Sequence, residues 1–270
     1  MKGNAYTICY AAILGTVCAL LLTGVAVITK PFQEKNRQAE KNRNIFTALQ
    51  IDFDEKATAE ELVNIFIDKI EEKPSVSKLA DIFEESLKSS DNSEEQISSF
   101  SEEVASMASA KEMIAVFKET IAEDGSVEEL TEKFKTNLKV IDDKYPALTL
   151  YRYLDGSGNI IAVAVEFEGP GLWGPIKGIL ALEKDMETIR GVTFYEQEET
   201  PGLGAEIARE DFRIRFIGKK IISPEGTAGI VIKAGLKDGA DNEIDGLTGA
   251  TLTVDKVSLM LNDVIAKVAK

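Results

Sequence analysis

The sequence predicts an α+β fold with an N-terminal transmembrane helix, a helical middle region and a C-terminal domain built on a mainly antiparallel sheet with flanking helices. Residues 6–28 contain no charged side chain. Residues 52–145 are rich in Ser and Glu, with apolar residues at helical spacing. After Pro146, short apolar segments alternate with glycine-containing turns, as antiparallel strands do. The predicted divisions are a short tail (1–5), the transmembrane helix (6–28), a juxtamembrane helix (29–51), the acidic helical region (52–145) and the sheet domain (146–270).

The charge-free residues 6–28 are long enough to cross ~30 Å of hydrocarbon at about 1.5 Å per helical residue. A signal peptide is the alternative, because Lys2 supplies a basic residue ahead of the apolar run. The run is longer than the ~7–15 apolar residues of a signal peptide, and no clear Ala-x-Ala cleavage site precedes Pro31. We therefore expect an uncleaved anchor, in which Cys9 and Cys18 are ordinary small helix residues.

Basic residues flank this segment unequally. Only Lys2 and the amino terminus precede it, and the positive-inside tendency by itself therefore places the C-terminal side in the cytoplasm. The basic residues that follow it are Lys30, Lys35, Arg37, Lys41 and Arg43.

Charge and composition exclude several functional classes. The net charge of −15 argues against a nucleic-acid partner, because phosphate backbones are bound by Lys and Arg patches. The chain has no histidine, which removes His-dependent triads and most zinc sites. Cys9 and Cys18 are the only cysteines, so the rest of the chain can form neither a disulfide nor a Cys-ligated cluster. We expect no metal site.

The acidic helical region contains three capping-box patterns, in which Ser or Thr precedes Glu or Gln by three positions. They pair Thr58 with Glu61, Ser93 with Gln96 and Ser126 with Glu129. We expect its acidic side chains to form a solvated helix face without chemistry. The first helix is predicted to bury Leu62, Ile65, Phe66 and Ile70.

The sheet domain contains a predicted hairpin, with strands at residues 148–154 and 160–167 around a turn at residues 155–159. Residues 176–182 and 189–195 form a second predicted strand pair. Residues 229–234 (Gly-Ile-Val-Ile-Lys-Ala) are predicted to form a later strand.

A glycine- and threonine-rich stretch at residues 245–253 reads Asp-Gly-Leu-Thr-Gly-Ala-Thr-Leu-Thr. Its small residues leave the backbone open to a large ligand. A helix is predicted over residues 254–267, with Thr253 as its N-cap and Asp255 at the positive end of its dipole. A hydroxyl-rich loop that enters a helix N-terminus favours an anion such as phosphate. The alternative is a glycine turn before a capped helix.

Two further glycine-rich loops occur in the sheet domain, Gly-Leu-Trp-Gly-Pro at residues 171–175 and Glu-Thr-Pro-Gly-Leu-Gly at residues 199–204. Pro201 fixes φ beside two flexible glycines, so backbone amides can point at a flat ligand. Trp173, the only tryptophan, is able to stack on an aromatic ring system. A core tryptophan and a simple turn are the alternatives.

These three motifs, together with residues 30–45, resemble the FMN-binding domain family represented by NqrC of the sodium-translocating NADH:quinone oxidoreductase, to which RnfG of the Rnf complex is related. The resemblance covers residues 1–50 and 145–270. The Leu-Trp-Gly sequence favours the NqrC type over the RnfG type. The acidic helical region is the main departure, with an apparent insertion at about residues 75–124.

The resemblance implies that Thr251 carries FMN covalently through a phosphoester bond, made by a separate flavin transferase from FAD. It implies that Asp245 belongs to the flavinylation motif that the transferase uses. Trp173, Glu199, Thr200 and Leu203 are expected to border the isoalloxazine ring or its tail. The full set of expected cofactor-binding residues is Trp173, Glu199, Thr200, Gly202, Leu203, Gly204, Thr248, Gly249, Ala250, Leu252 and Thr253.

The implied function is electron transfer in a bacterial sodium-pumping NADH:quinone reductase, with other membrane subunits as partners and NADH and quinone bound elsewhere. The resemblance also implies a short cytoplasmic N-terminus and a domain on the extracytoplasmic side of the cell membrane, in conflict with the positive-inside tendency. The alternatives are an RnfG-type subunit of a ferredoxin:NAD oxidoreductase and a non-redox FMN-binding sensor or scaffold.

Overall fold

The computed structural model describes residues 2–105, 107, 109–141, 148–236 and 239–269. The predicted boundary at residues 145 and 146 lies outside these ranges. The helices are α1 (Lys2–Ala48), α2 (Ala59–Lys69), α3 (Val76–Ser89), α4 (Ser93–Val104), α5 (Ala110–Ile121), α6 (Val127–Ile141), α7 (Glu210–Arg213) and α8 (Thr251–Val268), with 3-10 turns at Gly204–Ala208 and Ile214–Phe216. The strands are β1 (Ile70–Lys73), β2 (Leu150–Leu154), β3 (Ile160–Pro170), β4 (Pro175–Glu183), β5 (Ile189–Glu196), β6 (Val231–Lys233) and β7 (Glu243–Asp245).

The main sheet is antiparallel throughout, with the strand order β1-β2-β3-β4-β5. This confirms the predicted α+β class. A separate parallel pair joins β6 to β7. Strand β1 is absent from the sequence prediction, and the assignment of Ile70 to a helix face is wrong. Helix α2 ends at Lys69, and Ile70 has an extended backbone. Ile70 begins β1, a strand of the acidic helical region that pairs with β2 of the sheet domain. That region is therefore not wholly separate from the sheet.

Both faces of the central strands are buried. Alternate residues of β3 point to opposite sides: Ala164 packs with α1 and α2, whereas Val165 packs with α8. Strands β3 and β4 consequently read as nearly continuous apolar runs, which is the pattern of strands covered on two sides. The α8 side of this core also contains Phe194, Phe212 and Phe216.

Helices α3 to α6 enclose a core of their own. Four phenylalanines lie at its centre: the rings of Phe83 and Phe134 are stacked with centroids 4.3 Å apart, as are those of Phe100 and Phe117. Such aromatic contacts add about 0.5–1.5 kcal/mol beyond area burial. Helices α3 to α6 of the acidic helical region thus form a helical unit, whereas α2 and β1 of the same region pack with the sheet.

The three capping predictions have different outcomes. Thr58 and Glu61 form the reciprocal bonds of a capping box, and Ser126 and Glu129 do the same. The Ser93 prediction is wrong, because Asn92 caps α4 through the amide of Glu94. The side chain of Gln96 instead donates to the carbonyls of Leu87 and Ser90 at the preceding corner.

Helix α1 is continuous across the predicted division between residues 28 and 29. Its last turns are buried against the sheet through Ile45, Phe46 and Ala48. Arg190 of β5 donates to the carbonyl of Leu49 at 2.6 Å, which satisfies an acceptor at the helix end. In the part of the chain that the structure describes, no helix is both long and apolar enough to cross a membrane.

A polar contact also joins α1 to the sheet. The Lys41 ammonium lies 2.5 Å from Glu166 Oε1, and the Tyr151 hydroxyl donates to the same oxygen at 2.6 Å. Burial opposes ionisation of Glu166, but the Lys41 charge and the hydrogen bonds outweigh it, so the pKa of this carboxyl lies below its usual value. The contact thus links α1 to both β2 and β3.

The close approach of α1 to β5 leads to a first prediction. A Cβ at Gly191 would collide with the carbonyl oxygen of Ala48. We expect Gly191→Ala to lower the free energy of unfolding by about 1–3 kcal/mol, because the helix must move away from the sheet. Urea denaturation measures the change. Gly156→Ala is the matched control, since Gly156 has open space around it. Equal stabilities of the two variants would show that this contact is not tight.

Candidate functional site

A pocket of about 350 Å³ lies where three loops meet. Strands β3 and β5 run in the same direction, because each is antiparallel to β4. The loops that leave them therefore emerge at one edge of the sheet, and the start of α8 lies beside them. The lining residues are Leu172, Trp173, Glu199, Thr200, Leu203, Gly204, Gly249, Ala250, Thr251, Leu252 and Thr253.

The β3–β4 loop exposes two large apolar side chains. The amide of Gly171 donates to the carbonyl of Gly174 at 2.8 Å, which closes a tight turn between the paired Pro170 and Pro175. Leu172 and Trp173 occupy its tip, and Trp173 is 72% exposed. The alternative of a core tryptophan is therefore wrong, and this ring lies free at the mouth of the pocket.

Glu199 connects all three segments of the pocket. Its side chain is buried, at 4% exposure. Oε1 accepts hydrogen bonds from the amides of Leu172 (2.7 Å) and Trp173 (3.3 Å). Oε2 accepts from the hydroxyl of Thr253 at 2.6 Å. Glu199 lies in the loop that follows β5, and its carboxyl group thus connects the β3–β4 loop to the first turn of α8.

The space around Glu199 explains two of the motif glycines. A Cβ at Gly171 would lie 2.5 Å from Glu199 Oε1, and one at Gly204 would lie 2.8 Å from Oε2 and 2.5 Å from Thr253 Oγ1. Both positions therefore require glycine for steric reasons. In the same loop, Thr200 O accepts from the amides of Leu203 and Ala205, and this turn exposes the Leu203 side chain.

Helix α8 begins three residues earlier than predicted, at Thr251. The N-cap position is Ala250, and no side chain caps it. The prediction of Thr253 as the N-cap is wrong, because this residue lies inside the first turn and its hydroxyl bonds Glu199 instead. Thr251 is exposed, and Gly249 before it has φ +83°, which favours glycine. The first amides of α8 thus have no side-chain acceptor, and the first three residues of this helix line the pocket.

Three of the predicted site residues do not line the pocket. Thr248 is exposed in the loop before Gly249, and Gly202 lies at the tip of its own turn with φ +77°. Asp245 ends β7, where its Oδ1 accepts from the amides of Gly235 (2.8 Å) and Leu236 (3.1 Å). Its visible role is therefore to fix the neighbouring loop. No set of three or more acidic or cysteine side chains within the described ranges is placed to bind a metal ion.

Two residues near the site are missing from the sequence prediction. Leu172 lines the pocket, and its place beside Trp173 in a glycine loop was the available signal. The guanidinium of Arg215 donates to the carbonyls of Asp245 and Gly246 at 3.2 and 2.8 Å, and so supports the loop before α8. The pattern around Arg215 in the sequence gives no sign of this contact.

Comparisons with known proteins point to the same segment. Residues 171–266 match the FMN-binding domain family. Over 107 residues the chain is 43% identical to the NqrC protein of the Na(+)-translocating NADH-quinone reductase of Vibrio anguillarum, a match that covers 39% of this chain and 42% of that protein. The match to the Haemophilus ducreyi NqrC protein is 29% over 247 residues, and covers 92% of this chain and 84% of that protein. The resemblance to NqrC is thereby confirmed, although the chain spans only about two-fifths of the length of relatives such as the Vibrio protein.

Solved structures agree at the level of the fold. The crystal structure of Shewanella oneidensis NqrC superposes with a TM-score of 0.52 at 20% identity, covering 84% of this chain and 91% of that one. The corresponding structure from Parabacteroides distasonis gives the same TM-score and identity, with 87% and 92% coverage.

The crowding around Glu199 leads to a second prediction. Gly204→Ala is expected to lower the free energy of unfolding by about 1–3 kcal/mol and to reduce the fluorescence anisotropy of Trp173, because the new Cβ pushes Glu199 and Thr253 apart. Gly202→Ala is the control in the same loop: its Cβ meets no atom, so only backbone strain of about 1–2 kcal/mol is expected, without a change in anisotropy. Unchanged anisotropy in Gly204→Ala would contradict the claim that the close packing at Gly204 holds the Trp173 loop in place through Glu199 and Thr253.

Proposed function

We propose that this chain is the FMN-carrying electron-transfer subunit of a sodium-translocating NADH:quinone reductase, and that FMN is bound covalently to Thr251. One observation carries the proposal: the exposed hydroxyl of Thr251 lies at the uncapped start of α8, on the wall of a pocket inside the segment that matches the FMN-binding domain family. The relatives named above are NqrC proteins of this reductase, which favours it over an RnfG-type complex.

The start of α8 fits the phosphate of FMN. A helix leaves its first amides without intrahelical acceptors and presents a partial positive charge there. Since Ala250 offers no side-chain acceptor, a phosphate on Thr251 Oγ1 would take that place. In the reaction that we propose, the transferase breaks the diphosphate of FAD, the FMN phosphorus bonds to the Thr251 oxygen, and AMP leaves while the hydroxyl proton of Thr251 is released. Asp245 serves this step as part of the flavinylation motif that the transferase recognises.

The pocket walls fit a flat, largely apolar ring. Trp173 is 72% exposed and Leu252 is 64% exposed, and Leu172 and Leu203 complete an apolar border. Large exposed apolar groups that cluster in one place commonly mark a binding site. The flavin supplies the redox chemistry, and these side chains shield its ring from water and orient it towards a neighbouring protein of the complex.

The covalent bond gives a third prediction. When the full chain is co-expressed with a flavin transferase, the denatured wild-type band is expected to fluoresce under ultraviolet light on a gel. Thr251→Ala is expected to be dark, because it lacks the oxygen that forms the ester. Thr227→Ala is the control, since it removes an exposed hydroxyl from the same FMN-binding segment and lies outside the motif at residues 245–251.

The outcomes separate the candidate functions. A dark wild-type band, with a transferase that labels a control substrate, would reject covalent flavin and leave a non-covalent or non-redox module. A fluorescent Thr251→Ala band together with a dark Thr248→Ala band would show that Thr248, and not Thr251, carries the flavin. A non-redox sensor or scaffold would be recognised by a bound flavin that neither accepts nor returns electrons in the assembled complex.

We propose further that residues 6–28 anchor the chain in the bacterial cell membrane, with residues 146–270 as an extracytoplasmic FMN-binding domain. The charge-free sequence of this segment supports the anchor. So do the large apolar side chains exposed on this part of α1: Tyr10, Ile13, Leu14, Val17, Leu20, Leu21, Leu22 and Val25. These side chains have no protein partner in the fold, and hydrocarbon would cover them.

The anchor gives a fourth prediction. The wild-type chain is expected to stay with the membrane pellet after alkaline carbonate extraction. A double variant, Leu14→Arg with Leu21→Arg, is expected to be released in part, because an arginine in the apolar centre of a span costs about 2.5–3.5 kcal/mol. Glu85→Arg with Glu95→Arg is the control for added charge, since both residues are exposed on the acidic helices. Complete extraction of the wild-type chain would reject the anchor.

A further inference from the structure

Glu199 places a buried acidic group beside the pocket, and phosphate attachment at Thr251 does not require it. Its three partners, the two loop amides and the Thr253 hydroxyl, are uncharged donors. The ion pairs formed by the described residues do not include Glu199. Its charge is therefore spread by hydrogen bonds and is not cancelled by a neighbouring cation.

The hydrogen-bond pattern fits the ionised form of this side chain. Amide groups can only donate, so the Oε1 atom between Leu172 N and Trp173 N acts as an acceptor. The Thr253 hydroxyl donates to Oε2 at 2.6 Å, a length typical of a bond to a charged oxygen. The glycines at positions 171 and 204 leave room for this arrangement and for no added carbon.

We propose that Glu199 is a positioning residue with an electrostatic effect: it fixes the Trp173 loop against α8, and its carboxylate lowers the reduction potential of the flavin. This inference rests on the proposed function. Full reduction adds two electrons and one proton to the oxidised ring and gives an anionic reduced ring. A fixed negative charge in the wall of the same pocket repels that added charge and so disfavours reduction. A carboxylate that is 4% exposed is screened little by solvent.

Two substitutions separate the positioning role from the electrostatic role. Glu199→Gln keeps the shape: its amide oxygen can accept from both loop amides, and its NH₂ can donate to Thr253 Oγ1, so that only the charge is lost. Glu199→Ala removes both the charge and the tie. Glu198→Gln is the matched control, because Glu198 is the preceding residue in the same loop and its side chain is exposed.

The first measurement is a redox titration of the flavinylated full chain in detergent, with dithionite as reductant and a dye of known potential as reference. Glu199→Gln is expected to raise the midpoint potential by at least about 30 mV, which is a tenfold change in the equilibrium constant of a two-electron couple. Glu198→Gln is expected to change it much less, because water screens that charge. An unchanged potential in Glu199→Gln overturns the electrostatic role.

The second measurement needs no flavin. In the full chain expressed without transferase, the fluorescence anisotropy of Trp173 reports this loop alone, since the chain has a single tryptophan. Glu199→Ala is expected to lower the anisotropy, while Glu199→Gln and Glu198→Gln remain close to wild type. Unchanged anisotropy in Glu199→Ala overturns the positioning role. A wild-type chain that acquires no flavin overturns the proposed function and the claim about potential, and the anisotropy result then stands as a separate test of positioning.

Discussion

The burial of strands β3 and β4 on both faces is the constraint on which the rest of the structure depends. The last turns of α1, together with α2, cover one face and α8 covers the other, so segments from distant parts of the chain must pack on the same strands. The helices pack on the sheet without room for an added side chain at two glycines. A Cβ at Gly191 would collide with Ala48 of α1, and a Cβ at Gly169 of β3 would collide with Met260 of α8. The start of α8 is consequently held at the edge of the sheet where the pocket lies.

At that edge the pocket depends on one buried side chain. The loops after β3 and β5 emerge side by side because these strands are parallel to each other, but strand direction alone does not set their distance from α8. Glu199 sets it, through two amides of one loop and the Thr253 hydroxyl of the helix. Two residues before Thr253, Thr251 is exposed at the helix start, where the N-cap residue Ala250 offers no side-chain acceptor. The contact that shapes the pocket therefore lies within one helical turn of the hydroxyl that we propose as the flavin attachment point.

Local signals in the sequence were sufficient where one segment decides its own structure. The alternating and continuous apolar runs located β2 to β5 within a few residues, and the Thr58 and Ser126 capping patterns formed as predicted. Local signals failed where a residue distant in the sequence determines the structure of a segment. Strand β1 forms because β2 offers it a free edge, and Gln96 bonds the corner before α4. No local pattern around Ile70 or Ser93 contains that information.

The sequence by itself determined the α+β class and the positions of the glycine-rich loops, because glycine, proline and apolar spacing act over a few positions. Only the tertiary structure decided that Glu199 is buried between those loops, that Thr253 is its partner, and that Asp245 supports a neighbouring turn outside the pocket. The physical reason is distance along the chain. Glu199 and Thr253 are separated by 54 positions, and only the packing of α8 on the sheet brings their side chains within a hydrogen bond of each other.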